Sequence, residues 1–165
     1  MIAMKKIISV LMILAVMFSL YACGGNTDTT TTAKNVQLDL AQIMTEIEGG
    51  VTLPDNMDDI TNSDLLLQYY GIDAADVKSY AVKINGTGIK CDEIVMIEAV
   101  DSDALGRIKT CLENRLEDVK NQMNNYLPDE YKIAAACKVE VKGNYATLFI
   151  SPDANTMTDI FNSKF

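Results

Sequence analysis

Four cysteines, 23 carboxylates and no histidine make up the reactive inventory of this 165-residue chain. The missing histidine removes Ser-His and Cys-His catalysis and every His-ligated metal site. Cys23 stands apart because it closes an N-terminal apolar segment. Cys91, Cys111 and Cys137 show no C-x-x-C spacing, so neither a zinc knuckle nor a thioredoxin-type redox pair is expected. Three thiols cannot all pair within one chain. Cys91 and Cys137, each read as opening a strand, are the two that could meet across a sheet; the alternative is that they are small buried hydrophobes. The serines after the apolar segment are Ser63, Ser79, Ser102, Ser151 and Ser163; none begins an S-x-x-K and no histidine stands by as a base. We therefore assign no catalytic residue, no metal ligand and no cofactor. A carboxylate pair for glycoside cleavage is set by space rather than by sequence, and 23 acidic residues single out no pair.

Three local patterns invite a metal or phosphate reading and do not support it. Asp101-Ser102-Asp103 begins like a calcium loop, but Leu105 and Leu112 stand where oxygen ligands are required. Acidic residues and serine at that place are expected to cap a helix instead. Asp55, Asp58, Asp59 and Asp64 have no fixed ligand spacing and read as a solvated loop. Gly86-Thr87-Gly88 is not followed by a helix start, so the anion site of a phosphate loop is absent.

Charge and the N-terminal segment say where the chain resides. There are 14 Lys and Arg, two of which are Lys5 and Lys6; after residue 22 the balance is 12 against 23, a net of −11. Such a surface repels phosphate backbones, so no nucleic-acid partner is expected. Lys5-Lys6 precede an apolar run from Ile7 to Phe18, too short to span a bilayer comfortably and suited to a signal-peptide core. Leu20-Tyr21-Ala22-Cys23 resembles the bacterial lipobox, with Tyr21 bulkier than the usual residue. The resemblance implies cleavage between Ala22 and Cys23, a diacylglycerol thioether on Cys23, and anchoring at the outer face of the cell membrane. More than one acyl chain gives a stable anchor. Residues 23–34, the lipidated cysteine followed by a Gly-, Asn- and Thr-rich stretch, read as a flexible tether, and 35–165 as one α+β domain.

Within that domain, Val36, Leu40, Ile43, Met44 and Ile47 follow helical spacing, with Asn35 as N-cap and Gly49-Gly50 as the stop. Thr61 and Asp64 form a capping-box pattern for a short second helix ending at Gly71, and Thr52 to Ile60 reads as a loop. Tyr80, Val82 and Ile84 alternate on one strand, Asn85 to Gly88 turns the chain, and Ile94 to Val100 reads as a central strand. Ser102 to Tyr126 is a long amphipathic helix with Leu105, Ile108, Leu112, Leu116, Val119, Met123 and Tyr126 on one side. Gly143-Asn144 suits a two-residue hairpin turn pairing Lys142 with Tyr145, Val141 with Ala146, Val139 with Leu148 and Cys137 with Ile150. Its inward face is apolar, whereas Tyr145 and Phe149 share the other face with Lys138, Glu140, Lys142 and Thr147. A helix from Asp153 to about Lys164 closes the chain. The order α-α-ββ-α-ββ-α implies an antiparallel sheet of two hairpins covered on one face by the long helix.

From about Val36 onward the chain resembles a family of small lipoproteins of low-GC Gram-positive bacteria, domain of unknown function 4358. The resemblance rests on the lipobox, the strand Glu93-Ile94-Val95-Met96-Ile97-Glu98-Ala99, the helix running into Tyr126-Leu127-Pro128-Asp129-Glu130, and the hairpin Val141-Lys142-Gly143-Asn144-Tyr145 leading to Ile150-Ser151-Pro152-Asp153. It brings no activity and no catalytic residue. The expectation is a non-enzymatic domain acting through protein or ligand contacts. Tyr69, Tyr70, Tyr145 and Phe149 are the aromatic candidates for a contact face, Tyr145 and Phe149 foremost. The alternatives are an accessory lipoprotein that binds a small molecule or cation, and a carboxylate-dependent cell-wall enzyme.

Overall fold

The structure, a computed structural model, describes residues 37–165. They lie within a compact unit that runs from Lys34 to Phe165. The signal peptide 1–22, the cleavage pair Ala22 and Cys23, the tether 23–34 and the Asn35 cap lie outside the described residues.

The elements in chain order are α1 (Leu40–Gly50), β1 (Met57–Asp59), α2 (Ser63–Tyr70), a 3-10 turn (Ala74–Asp76), β2 (Val77–Asn85), β3 (Glu93–Ala99), α3 (Ser102–Asn124), α4 (Pro128–Ala136), β4 (Val139–Lys142), β5 (Tyr145–Ile150) and α5 (Ala154–Asn162). The five strands form one antiparallel sheet in the order β1-β2-β3-β5-β4. The α+β class and the two hairpins are as expected. Two elements were not. The expected loop contains β1, which pairs its three residues with Lys83, Ile84 and Asn85. The segment before β4 forms α4, with Pro128 in its first turn and acidic residues behind it, a start signal that was visible in the sequence.

Helix caps follow side-chain chemistry. Asp101 Oδ1 accepts from Ala104 N at 2.8 Å, so the acidic start of α3 is a cap. Helix α1 starts later than expected, at Asp39, whose carboxylate accepts from Gln42 N. Helix α2 is capped by Asn62 instead of Thr61 and ends at Gly71, in the left-handed region. Helix α3 stops at Asn124, which leaves Tyr126 outside it and 85% exposed instead of inward.

The β4–β5 hairpin holds the expected register at Lys142, Val141 and Val139, with Gly143 at φ +58° in the first turn position that a side chain would strain. The fourth expected pair does not form, because Cys137 follows α4 and precedes the strand.

The sheet buries both faces. On one, Val82, Ile84, Val95, Ile97, Ala99, Ala146, Leu148 and Ile150 meet the stripe Ala104, Ile108, Leu112, Leu116, Val119 and Met123 of α3. On the other, Ile94, Met96, Tyr145 and Phe149 meet Leu40, Ile43, Met44 and Ile47 of α1 and Met157 and Phe161 of α5. The expectation that the long helix covers one face is met, but the opposite face is also closed. That corrects the contact-face reading of Tyr145 and Phe149, which are 2% and 3% exposed. The Tyr145 hydroxyl accepts from Leu38 N at 2.9 Å, and its ring meets Phe161 and Phe165 edge-on. Tyr70 is buried as well, whereas Tyr69 is exposed.

Candidate functional site

The three remaining cysteines are free thiols. Cys91 is buried, its thiol donates to Glu130 O at 3.4 Å, and burial pushes its pKa far up. The Cys137 thiol donates to Ile133 O at 3.1 Å and is also raised by burial. Neither lies within a strand, so the pairing across the sheet does not form in the structure. Raised thiols are poor nucleophiles because the thiolate is the reactive form. Among the described residues no group of three or more Cys, Asp or Glu side chains converges as a metal site. Asp55, Asp58, Asp59 and Asp64 are dispersed: Asp59 pairs with Lys83 at 2.9 Å and Asp64 sits in the first turn of α2.

The sheet end at the β2–β3 loop carries a cleft of about 400 Å³ between β1, that loop, α2 and α3. Its walls are Leu65, Tyr69, Val119 and Met123, and its polar lining includes Asp58, Lys90, Glu93 and Arg115. The floor is an ion pair. Glu93 opens β3 on the same side as Val95 and Ile97, and Arg115 projects from α3 among Leu112, Leu116 and Val119. Arg115 Nε donates to Glu93 Oε2 at 3.2 Å and Nη2 donates to Oε1, a bidentate fork. The guanidinium also lies over the Tyr70 ring, 5.6 Å from its centroid. Burial pushes the Glu93 carboxyl above its ordinary value, and the guanidinium pulls it only part of the way back. Arg115 itself stays charged, raised by Glu93 against its own desolvation. The buried Tyr70 hydroxyl makes no hydrogen bond of normal geometry and is pushed up by burial first and by Glu93 second.

The loop that roofs the cleft is tied from within. Asn85 Nδ2 donates to Asp55 O at 3.1 Å, and Asn85 Oδ1 accepts from Thr87 N at 3.1 Å and from the Thr87 hydroxyl. Lys90 reaches Glu130 on α4 at 2.6 Å, and Glu130 also accepts from Cys91 N at 3.1 Å. Burial acts to raise Glu130, but these donors outweigh it and hold the carboxyl below its usual range. Beyond the roof, Ile89 stands 64% exposed.

Two other depressions are shallower. One of about 490 Å³ lies between α1 and β2, where Lys83 is shared by Glu48 and Asp59. One of about 640 Å³ lies beside Gly71 and α3, where Arg107 is closed on Asp76 by two hydrogen bonds. Neither carries a buried charge pair on its floor.

Sequence reading missed Glu93 and Arg115, although both leave a trace. Positions 108, 112, 115, 119 and 123 form one helical stripe, and Arg115 is its single charge. Positions 91, 93, 95, 97 and 99 alternate inward, and Glu93 is the single charge there. Opposite charges on two facing apolar patterns are the signal of a buried pair. By contrast, the structure does not bring Tyr145 or Phe149 to any exposed site.

A family model, Domain of unknown function (DUF4358), matches residues 51–151, which include β1 to β5 and the whole cleft. No curated protein and no solved structure matches the chain.

Proposed function

The chain belongs to the family of domain of unknown function DUF4358, and from that premise we propose that it is a lipid-anchored, extracytoplasmic, non-enzymatic binding domain whose site is the cleft above Glu93 and Arg115. The observation that carries this is a buried, bidentate ion pair at the floor of a preformed cleft of mixed polar and apolar lining. A buried pair adds little stability over well-packed hydrophobes. A concave site of a few hundred Å³ with fixed polar groups that orient a ligand is a usual form of small-ligand site. Two features favour binding over catalysis. Both Glu93 oxygens face Arg115, which leaves that carboxylate poorly placed for proton transfer. Cys91, the cleft thiol, is buried and raised.

Anchoring is supported by Lys5-Lys6, the short apolar core and Leu20-Tyr21-Ala22-Cys23. No helix among the described residues is long and apolar enough to cross a membrane. The test is photocrosslinking in the native membrane with a benzophenone amino acid at Tyr69 or Gln122, both on the cleft, and at Glu113 outside it. Adducts specific to the two cleft positions, and loss of the protein from the membrane fraction in Cys23→Ala, are expected. Equal labelling at Glu113, or a Cys23→Ala protein still in the membrane fraction, would sink the cleft reading or the anchor reading respectively.

A further inference from the structure

The charges in the cleft point to a ligand class, an inference that rests on the cleft being the binding site. Lys90 is spent on Glu130, Arg115 on Glu93, and Asp59 on Lys83. Asp58 is different. It is exposed on β1 opposite Ile84, and its carboxylate has no hydrogen-bond or ion-pair partner among the described residues. A Cβ at Gly86 would lie 3.0 Å from Asp58 Oδ2, so the bare glycine leaves the room that the carboxylate occupies. The one lining charge left unneutralised is therefore negative, and it stands at the mouth of a cleft whose chain is strongly acidic.

Arg115 complements it. Its Nε and Nη2 are bound to Glu93, and Nη1 donates to no described residue and is not sealed from solvent. With its charge already matched by Glu93, the guanidinium offers a hydrogen-bond donor rather than an anion site. A neutral acceptor such as an amide carbonyl suits it. Leu65, Tyr69, Val119 and Met123 supply apolar wall for a side chain. The volume of about 400 Å³ is that of a small-ligand pocket.

We propose that the cleft binds the free amino end of a short apolar peptide, with the terminal ammonium on Asp58, a backbone carbonyl at Arg115 Nη1 and the first side chains against the α2–α3 wall. A free anion has no unspent cation here, and a metal ion finds no converging ligand set.

The experiment is titration calorimetry on the full processed chain in detergent micelles, with leucyl-leucinamide and its N-acetyl form as probes. Saturable binding of the free dipeptide amide is expected. Acetylation and Asp58→Asn should each weaken it about ten-fold or more, the worth of one charge-assisted hydrogen bond, and the two together no further than either alone. Asp58 is exposed, so the melting temperature of Asp58→Asn should match the parent. Equal affinity for the acetylated probe, an unchanged Kd in Asp58→Asn, or no saturable binding overturns the peptide-terminus proposal. If crosslinks at Tyr69 and Gln122 persist in that event, the cleft stands and the ligand class falls; if they are absent, both fall.

Discussion

On one face of the sheet a single 23-residue helix lays its own stripe on strands that follow and precede it closely in the chain. On the other, helices from opposite ends of the described chain meet over Tyr145 and Phe149. Strand β3 contributes one buried carboxylate to each, and the two behave in opposite ways. Glu93, on the α3 side, has a single guanidinium partner, and burial leaves its carboxyl raised. Glu98, on the α1–α5 side, accepts from Lys78 at 2.7 Å, Ser79 at 2.9 Å and Gln37 at 3.1 Å. Burial acts on it too, but the three donors outweigh it and the carboxyl is lowered. Both carboxylates are hidden from solvent, but Glu93 lies deeper in the core and has the fewer donors, and depth and donor number together set the opposite signs. A fully satisfied carboxylate reads as structure, and one left short of donors beside a cleft reads as a site.

The comparison is broken most severely by removing what one face holds. Tyr145→Ala and Phe149→Ala should each cost about 3–5 kcal/mol by urea denaturation, as for large aromatic truncations in a core. A cost near zero would return these side chains to the surface. Arg115→Met should cost a similar amount, about 3–5 kcal/mol, because it leaves Glu93 buried and unpaired, while Glu93→Met with Arg115→Met should recover most of the loss. The recovery is the informative part, since it separates the cost of an orphaned charge from the cost of lost packing. Tyr145→Phe keeps the ring and takes the acceptor from the Leu38 N–H, so about 1–2 kcal/mol is expected.

The two carboxylates also predict opposite pH dependences. Glu98, lowered on folding, contributes stability that is complete above its unfolded value of 4.5 and is lost as pH falls through its folded value. Glu93, raised on folding, contributes stability that is complete below 4.5 and is lost as pH rises through its folded value. Urea midpoints measured across the acid range should therefore flatten in Glu98→Gln on the low-pH side and in Glu93→Gln on the high-pH side. Slopes of the same sign in both variants would show that the faces do not differ. The smallest effect belongs to the sheet edge, where Val141→Lys on exposed β4 should change stability by less than about 0.5 kcal/mol.

Much of the α3 face was legible in advance because its information is local. Helix α3 shows its stripe at threes and fours, Asp101 announces its start, and Gly143-Asn144 sets the register of β4–β5. Strand β1 was not legible, since three residues with two aspartates carry no strand pattern and exist as a strand only by pairing with β2. Helix α4 had its signal in Pro128 and the acidic first turn, obscured by a weak apolar face. The cleft was half written: each member of the Glu93–Arg115 pair breaks an otherwise apolar pattern, but only contact shows that the two breaks face each other.

The sequence alone determined the α+β class, the acidic charge balance, the lipobox resemblance at Cys23, and the elements whose periodicity and turn residues act within a few positions. Tertiary structure alone decided the fate of Tyr145 and Phe149. Their alternation with Ala146 and Leu148 correctly puts them on the sheet's second face, yet no local pattern says whether that face meets water or another layer. The answer lies with α1 and α5, separated from each other by most of the domain, and with a Leu38 N–H more than a hundred residues from the hydroxyl it binds. The same reason holds for the cleft. A side chain's chemistry is fixed by its type, but whether it is spent or available depends on partners that only folding brings near.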